Sequence, residues 1–212
     1  LSGLVATDTS VGRGIWMSLH LVNTFILLAS LTLTARAAGG GGPIKLKGQG
    51  AVGWAMGLAL VGVLVLGISG AVTALGDQLF PADSLAEGLR QDLSPTSHLF
   101  VRLRALHPLI ATSIGLYLVM IMGLVTQLRP SPHVRKMGVW LVTVFGLQIL
   151  VGFVNVLLMA PVWMQIVHLL LADALWIFLV LASASALDAT APRKLLHPER
   201  AERSEETAVM SP

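Results

Sequence analysis

Apolar residues are gathered in five long runs, and short polar segments separate one run from the next. A helix needs roughly 20 apolar residues to cross a bilayer. The runs that meet this length are residues 14–35, 51–75, 98–128, 137–159 and 162–187. The pattern therefore predicts an all-α polytopic membrane protein with five transmembrane helices.

Composition agrees with this fold class and narrows the chemistry. Of the 212 residues, 55% are hydrophobic and 12% are charged, and the mean hydropathy of +0.79 excludes an ordinary soluble domain. The absence of cysteine excludes disulfides, thiolate metal sites and covalently attached c-type haem. A metal in this protein must therefore be held by histidine or carboxylate ligands.

The positions of Lys and Arg predict the orientation in the membrane, because these residues favour cytoplasmic loops. Most of them share one side of the predicted spans: Arg36, Lys45, Lys47, Arg129, Arg135, Lys136, Arg193, Lys194, Arg200 and Arg203. We expect this side, with the C-terminus, to be cytoplasmic and the Asp-rich loop after the second span to be outside. Since the cations lie in membrane loops, the sequence pI of 9.8 does not indicate nucleic-acid binding.

Two similar segments form a weak internal repeat. They begin at Trp16 and Trp163, and each places a histidine soon after a Trp-Met pair. If spans two to five form one four-helix unit, the first span corresponds to the last helix of an earlier unit. Since the chain begins at Leu1 and not at Met, we expect three further helices upstream of it.

This repeat predicts how the chain is divided. We interpret residues 1–36 as the last transmembrane helix of an incomplete N-terminal half, and residues 37–50 as a cytoplasmic linker. Residues 51–190 are predicted to form a C-terminal four-helix bundle that contains spans two to five. Residues 191–212, which are rich in Glu, Arg and Ser, are expected to be a disordered cytoplasmic tail.

His107 is the first candidate functional residue, because a histidine at membrane depth is costly without a partner or a role. Ala111 and Gly115 follow it at i+4 and i+8, so its helix face carries only small side chains below the imidazole. Arg104 lies at i−3, where a guanidinium could meet an anionic group at the membrane surface. The pattern favours a flat cofactor such as haem, with its propionates pointing outward.

His168 in the fifth span is the predicted partner of His107. The third and fifth spans run in the same direction, which places the two histidines at similar depth, and Ala172 repeats at i+4 the small residue seen at Ala111. The two imidazoles could hold one planar cofactor between them. The simpler alternative is two separate histidines, each hydrogen-bonded within the bundle. Zinc is disfavoured, because no third or fourth protein ligand is predicted at that depth.

The remaining polar residues leave alternatives open. Asn23 and Thr24 follow His20 at i+3 and i+4, so His20 could ligate a second haem or belong to a polar packing site. His98 is predicted to lie at the membrane interface, out of phase with His107. Asp173 is expected to be protonated or hydrogen-bonded to Gln148 or Asn155, with a proton-relay role as the alternative.

Three segments resemble the C-terminal half of bacterial haem A synthase. They are GAVTALGDQLFPADSLAEGL, DLSPTSHLFVRLRALHP and QILVGFVNVLLMAPVWMQIVHLLLADALW, and the similarity covers most of residues 65–182. That family has eight spans in two similar four-helix halves, which agrees with the internal repeat. The resemblance implies that His107 and His168 are the axial ligands of a b-type haem. It also implies that His20 is a substrate-side histidine for the iron of haem O.

The resemblance also implies an activity. It is the oxidation of a methyl group of haem O to the formyl group of haem A, during cytochrome oxidase assembly, with haem b transferring electrons. The protein is expected in the plasma membrane of a bacterium. Its expected partners are membrane lipid and haem O synthase, and a homo-oligomer is compatible with the sequence. A second substrate-side histidine, an acidic residue near it and the loop cysteines of some members are not in this chain.

Two other classes of function remain open from the residues. One is a membrane cytochrome b subunit that carries electrons in a respiratory complex without doing chemistry on haem. The other is a structural membrane subunit that binds no haem.

Overall fold

A computed structural model describes residues 8–189 of the chain, and these residues form seven helices and no extended strand. The helices are α1 (Val11–Ala38), α2 (Gly50–Leu79), α3 (Leu85–Leu93), α4 (Leu99–Arg104), α5 (Leu106–Leu128), α6 (Pro132–Leu157) and α7 (Val162–Ala186). Five segments are long and apolar enough to cross a membrane: α1, α2, α4 with α5, α6 and α7. The predicted all-α multi-pass fold class is confirmed, while the tail predicted at 191–212 lies outside the described residues.

The third span differs from the single uninterrupted run predicted over residues 98–128. The helix begins at Leu99 and is interrupted at Ala105 between α4 and α5. Pro108 explains the interruption, because its ring would clash with the carbonyl group of Arg104 four residues earlier in a continuous helix. The break places His107 in the first turn of α5.

The Asp-rich loop between the second and third spans is also more ordered than predicted. It contains α3, whose N-cap Ser84 accepts a hydrogen bond from the backbone N–H of Glu87 at 3.2 Å. Ser84 and Glu87 have the spacing of a capping box, which is a signal in the sequence that predicts a helix start. Asp77 does not belong to this loop, since α2 continues to Leu79.

Helices α2, α5, α6 and α7 form a four-helix bundle. Helix α2 packs against α5 and α7, and α6 packs against the same two helices. The third-span helix α5 and the fifth-span helix α7 therefore occupy opposite corners. Helix α1 lies outside this bundle against α2 and α7, where Phe25 and Trp176 stack with ring centroids 5.0 Å apart.

One end of the bundle carries most of the Lys and Arg residues, and we call it the basic end. Here Arg36 at the end of α1 lies 2.6 Å from Asp188 just after α7. Arg129 after α5 donates to the carbonyl oxygen of Ala186 at 3.1 Å. Helices α1, α5 and α7 therefore end at the same face, which confirms that spans one, three and five run in the same direction.

Candidate cofactor-binding site

The two halves of the bundle are packed differently. Towards the basic end, buried side chains from α2, α5, α6 and α7 form a continuous core that includes Met56, Val125, Leu141 and Leu179. At the other half of the bundle, four stretches contain no fully buried residue: 66–74, 106–114, 145–157 and 165–174. Both His107 and His168 lie in these stretches.

His107 rests against α2. Its Nδ1 atom lies 2.9 Å from the hydroxyl oxygen of Ser69. The neighbouring residue, Gly70, lets the ring approach the helix backbone, because a Cβ atom there would stand 3.2 Å from Cε1 of His107. The imidazole is therefore oriented by the consecutive pair Ser69 and Gly70.

His168 rests against α6 in a similar way. Its Nε2 atom lies 3.2 Å from the amide nitrogen of Gln148, and a Cβ atom at Gly152 would stand 2.9 Å from its Cε1. The Nδ1 atom of His168 is buried without a hydrogen-bond partner among residues 8–189. The interpretation that pairs Gln148 with Asp173 is not supported, because the amide turns towards the imidazole.

The two histidines lie on opposite sides of the bundle interior. They belong to the opposite-corner helices α5 and α7. Ala111 and Ala172 are half-buried one turn further along their helices. Gly115 has a different role from the one predicted, since the ring of Phe145 occupies the space beside it.

Arg104 is engaged by two carboxylates. Its Nη1 lies 2.8 Å from Asp77 in the last turn of α2, and its Nε lies 2.7 Å from Asp92 in α3. The guanidinium thus joins α2, α3 and α4 directly above the first turn of α5. Its predicted contact with a cofactor propionate stays a prediction, because the described contacts are those to Asp77 and Asp92.

The other histidines lie apart from this pair. His20 is exposed on α1, and its predicted role towards haem O stays a prediction. Trp16 and Trp163, which begin the two repeated segments, are equally exposed at 58%. His98 caps α4, where its Nδ1 accepts from the Phe100 backbone at 3.3 Å, so its role is structural.

These residues fit a planar cofactor with two axial positions. The two imidazoles lie on helices at opposite corners of the bundle, one of them has an unpaired buried nitrogen, and Gly70 and Gly152 let the rings pack closely against α2 and α6. They do not fit a zinc site, which takes four ligands or three with a water. Within residues 8–189 no group of three or more His, Cys, Asp or Glu side chains could hold a metal ion.

Sequence reasoning identified the two histidines but missed the residues that orient them. Ser69 is a single polar residue in an apolar span, with no signal that links it to His107, and Gln148 was predicted to contact Asp173 instead. The small residues Gly70 and Gly152 resemble ordinary helix-packing glycines. Asp77 and Asp92 lie 27 and 12 residues before Arg104, so no local pattern links them to it.

Comparison with known proteins identifies the protein family to which the chain belongs. Residues 2–180 match the COX15-CtaA family, described as cytochrome oxidase assembly protein. Proteins named protoheme IX farnesyltransferase, from two strains of Thermus thermophilus, are each 53% identical over 193 residues. The match covers 91% of this chain and 32% of each relative, so the chain spans about a third of their length. No solved structure matches the chain significantly.

Proposed function

Because the chain belongs to the haem A synthase family of cytochrome oxidase assembly proteins, we propose that it supplies the haem b-binding half of a haem A synthase. The reaction is the oxidation of the haem O methyl group to the formyl group of haem A. The observation that carries the proposal is the placement of His107 and His168 on opposite corners of the bundle, in stretches without a fully buried residue. The name of the Thermus relatives describes another reaction, farnesyl transfer to protohaem IX.

The chain's own residues would hold haem b through both imidazoles. Nδ1 of His107 is held by Ser69 from α2, while Gln148 from α6 contacts Nε2 of His168 and would have to move away from it. Ala111 and Ala172 would leave space for the macrocycle, and Arg104 would lie near its propionates. When bound by two histidines, haem b supplies electron transfer, because such ligation leaves no open iron position for oxygen chemistry.

The substrate side of the reaction would involve His20. This residue is exposed on α1, on a helix that packs against α7 of the haem b bundle. We assign it to the iron of haem O. The product of farnesyl transfer to protohaem IX is haem O, so a haem O synthase would deliver the substrate of this reaction. We place both activities in the bacterial plasma membrane, with the basic end and the C-terminus of this chain cytoplasmic.

Absorption spectra of the full-length protein and three variants test this proposal. The wild-type protein should carry haem b with a low-spin, two-histidine spectrum, and His107→Ala and His168→Ala should each lose it. His133→Ala is the matched control, because His133 is exposed in the first turn of α6 and should leave the spectrum unchanged. A colourless wild-type protein would contradict the proposal and favour a structural subunit.

The activity is tested separately in cells that lack their own haem A synthase. Expression of the full-length protein should convert haem O to haem A, as measured by chromatography of extracted haems. Retention of haem b without any haem A would reject the synthase proposal. That result would favour an electron-transfer subunit of the cytochrome b type.

A further inference from the structure

Ser69 makes two contacts that together determine what its hydroxyl group can do. The hydroxyl oxygen lies 2.8 Å from the carbonyl oxygen of Leu66 and 2.9 Å from Nδ1 of His107. A carbonyl oxygen only accepts hydrogen bonds, so the single hydroxyl hydrogen of Ser69 is donated to Leu66. The same oxygen has only lone pairs left for His107, and it must accept a hydrogen bond from Nδ1–H.

This contact selects one of the two neutral tautomers of His107. The ring hydrogen stays on Nδ1, and Nε2 keeps the lone pair that can bind a metal ion. In metal sites, the histidine nitrogen that does not bind the metal usually donates to such an acceptor, which also makes the ring a stronger ligand. Gly70 adds to the effect, because it allows the ring to approach closely the helix that carries Ser69.

His168 provides an internal comparison. The polar contact of His168 is made by Nε2, towards the Gln148 amide, and its Nδ1 has no hydrogen-bond partner within residues 8–189. Its Nε2 becomes available only when the amide moves away. Of the two imidazoles, His107 alone has Nδ1 engaged and Nε2 free of a hydrogen-bond contact in the described structure.

We infer that Ser69 is a positioning residue, which holds His107 in the Nδ1–H tautomer with Nε2 ready for an axial bond before any haem is present. This inference rests on the proposed function, since it assigns His107 to haem. Loss of a partner of this kind typically weakens metal binding 10–100-fold, and we expect about tenfold weaker haem binding in Ser69→Ala.

The test uses two measurements on the full-length protein. Nitrogen and carbon NMR of histidine-labelled haem-free protein in lipid nanodiscs reports the tautomer of His107, with the resonances assigned by their loss in His107→Gln. Titration with haem b reports the affinity. The variants are Ser69→Ala, Ser69→Thr, which retains a hydroxyl group, and Ser113→Ala. Ser113 is the matched control, because its hydroxyl also donates to a helix carbonyl, at 2.9 Å, but on an exposed position of α5.

We expect the wild type, Ser69→Thr and Ser113→Ala to show one Nδ1–H tautomer, and Ser69→Ala to show a mixture together with the weaker affinity. If Ser69→Ala matched Ser113→Ala in both measurements, the inference would be wrong while the proposed function could stand. If the wild type bound no haem but lost its single tautomer in Ser69→Ala, the proposed function would fail. In that case the assignment of the hydrogen bond would still hold.

Discussion

Arg104 and Asp77 form an ion pair with a nitrogen–oxygen distance of 2.8 Å, and both side chains are largely shielded from solvent, at 12% and 16% exposure. The pair joins the break before α5 to the last turn of α2. Asp92 of α3 approaches the same guanidinium at 2.7 Å. The two carboxylates therefore fix the backbone immediately before His107, whose orientation depends on α2.

Arg104→Met should destabilise the protein by about 3 to 5 kcal/mol, because it leaves two shielded carboxylates without their cation. The free energy of unfolding can be measured by denaturant titration in detergent. Arg90→Met is the control, since Arg90 is 79% exposed and lies 3.8 Å from Glu87, and its loss should change stability little. Equal effects of the two substitutions would show that the Arg104 cluster does not stabilise the fold.

Gly152→Ala should disturb His168, because the added methyl group would stand 2.9 Å from Cε1 of the imidazole. We expect a shift or broadening of the haem absorption bands and faster haem loss. Gly146→Ala on the same helix is the control, because no atom lies within 4 Å of a Cβ placed there. That substitution should leave the spectrum unchanged and stabilise α6 by about 0.5 to 1 kcal/mol. An unaltered spectrum in Gly152→Ala would argue against a fixed His168 ring.

Gln148→Leu should make haem binding faster or tighter. The amide contacts Nε2 of His168 at 3.2 Å, and a hydrogen bond of this kind contributes about 0.5 to 1.5 kcal/mol that binding through Nε2 would have to replace. The expected gain in affinity is therefore about two- to tenfold. Gln127→Leu, at an exposed position on α5, is the control for added hydrophobicity. Weaker binding in Gln148→Leu would indicate instead that the amide supports the ligand after haem binds.

Trp176→Phe should loosen the attachment of α1 to the bundle. The indole N–H of Trp176 donates to the carbonyl oxygen of Phe25 at 2.7 Å, and the two rings stack. Losing the donor and part of a buried ring should cost about 1 to 3 kcal/mol in the free energy of unfolding. Trp163→Phe is the control, since Trp163 is 58% exposed at the other end of α7. No difference between the two variants would show that α1 is held by other contacts.

The sequence by itself determined the five spans, their alternating direction and the two central histidines. These features depend on local rules: a bilayer requires about 20 apolar residues per crossing, and an isolated imidazole in such a run is conspicuous. The break before α5 was also encoded, in Pro108, and the start of helix α3 in Ser84 and Glu87.

Only the tertiary structure decided which side chains meet across helices. In a membrane span, apolar residues face lipid and core alike, so the sequence pattern says little about how each helix is rotated around its axis. The contacts of Ser69 with His107 and of Gln148 with His168 depend on that rotation. So does the placement of α5 and α7 at opposite corners of the bundle.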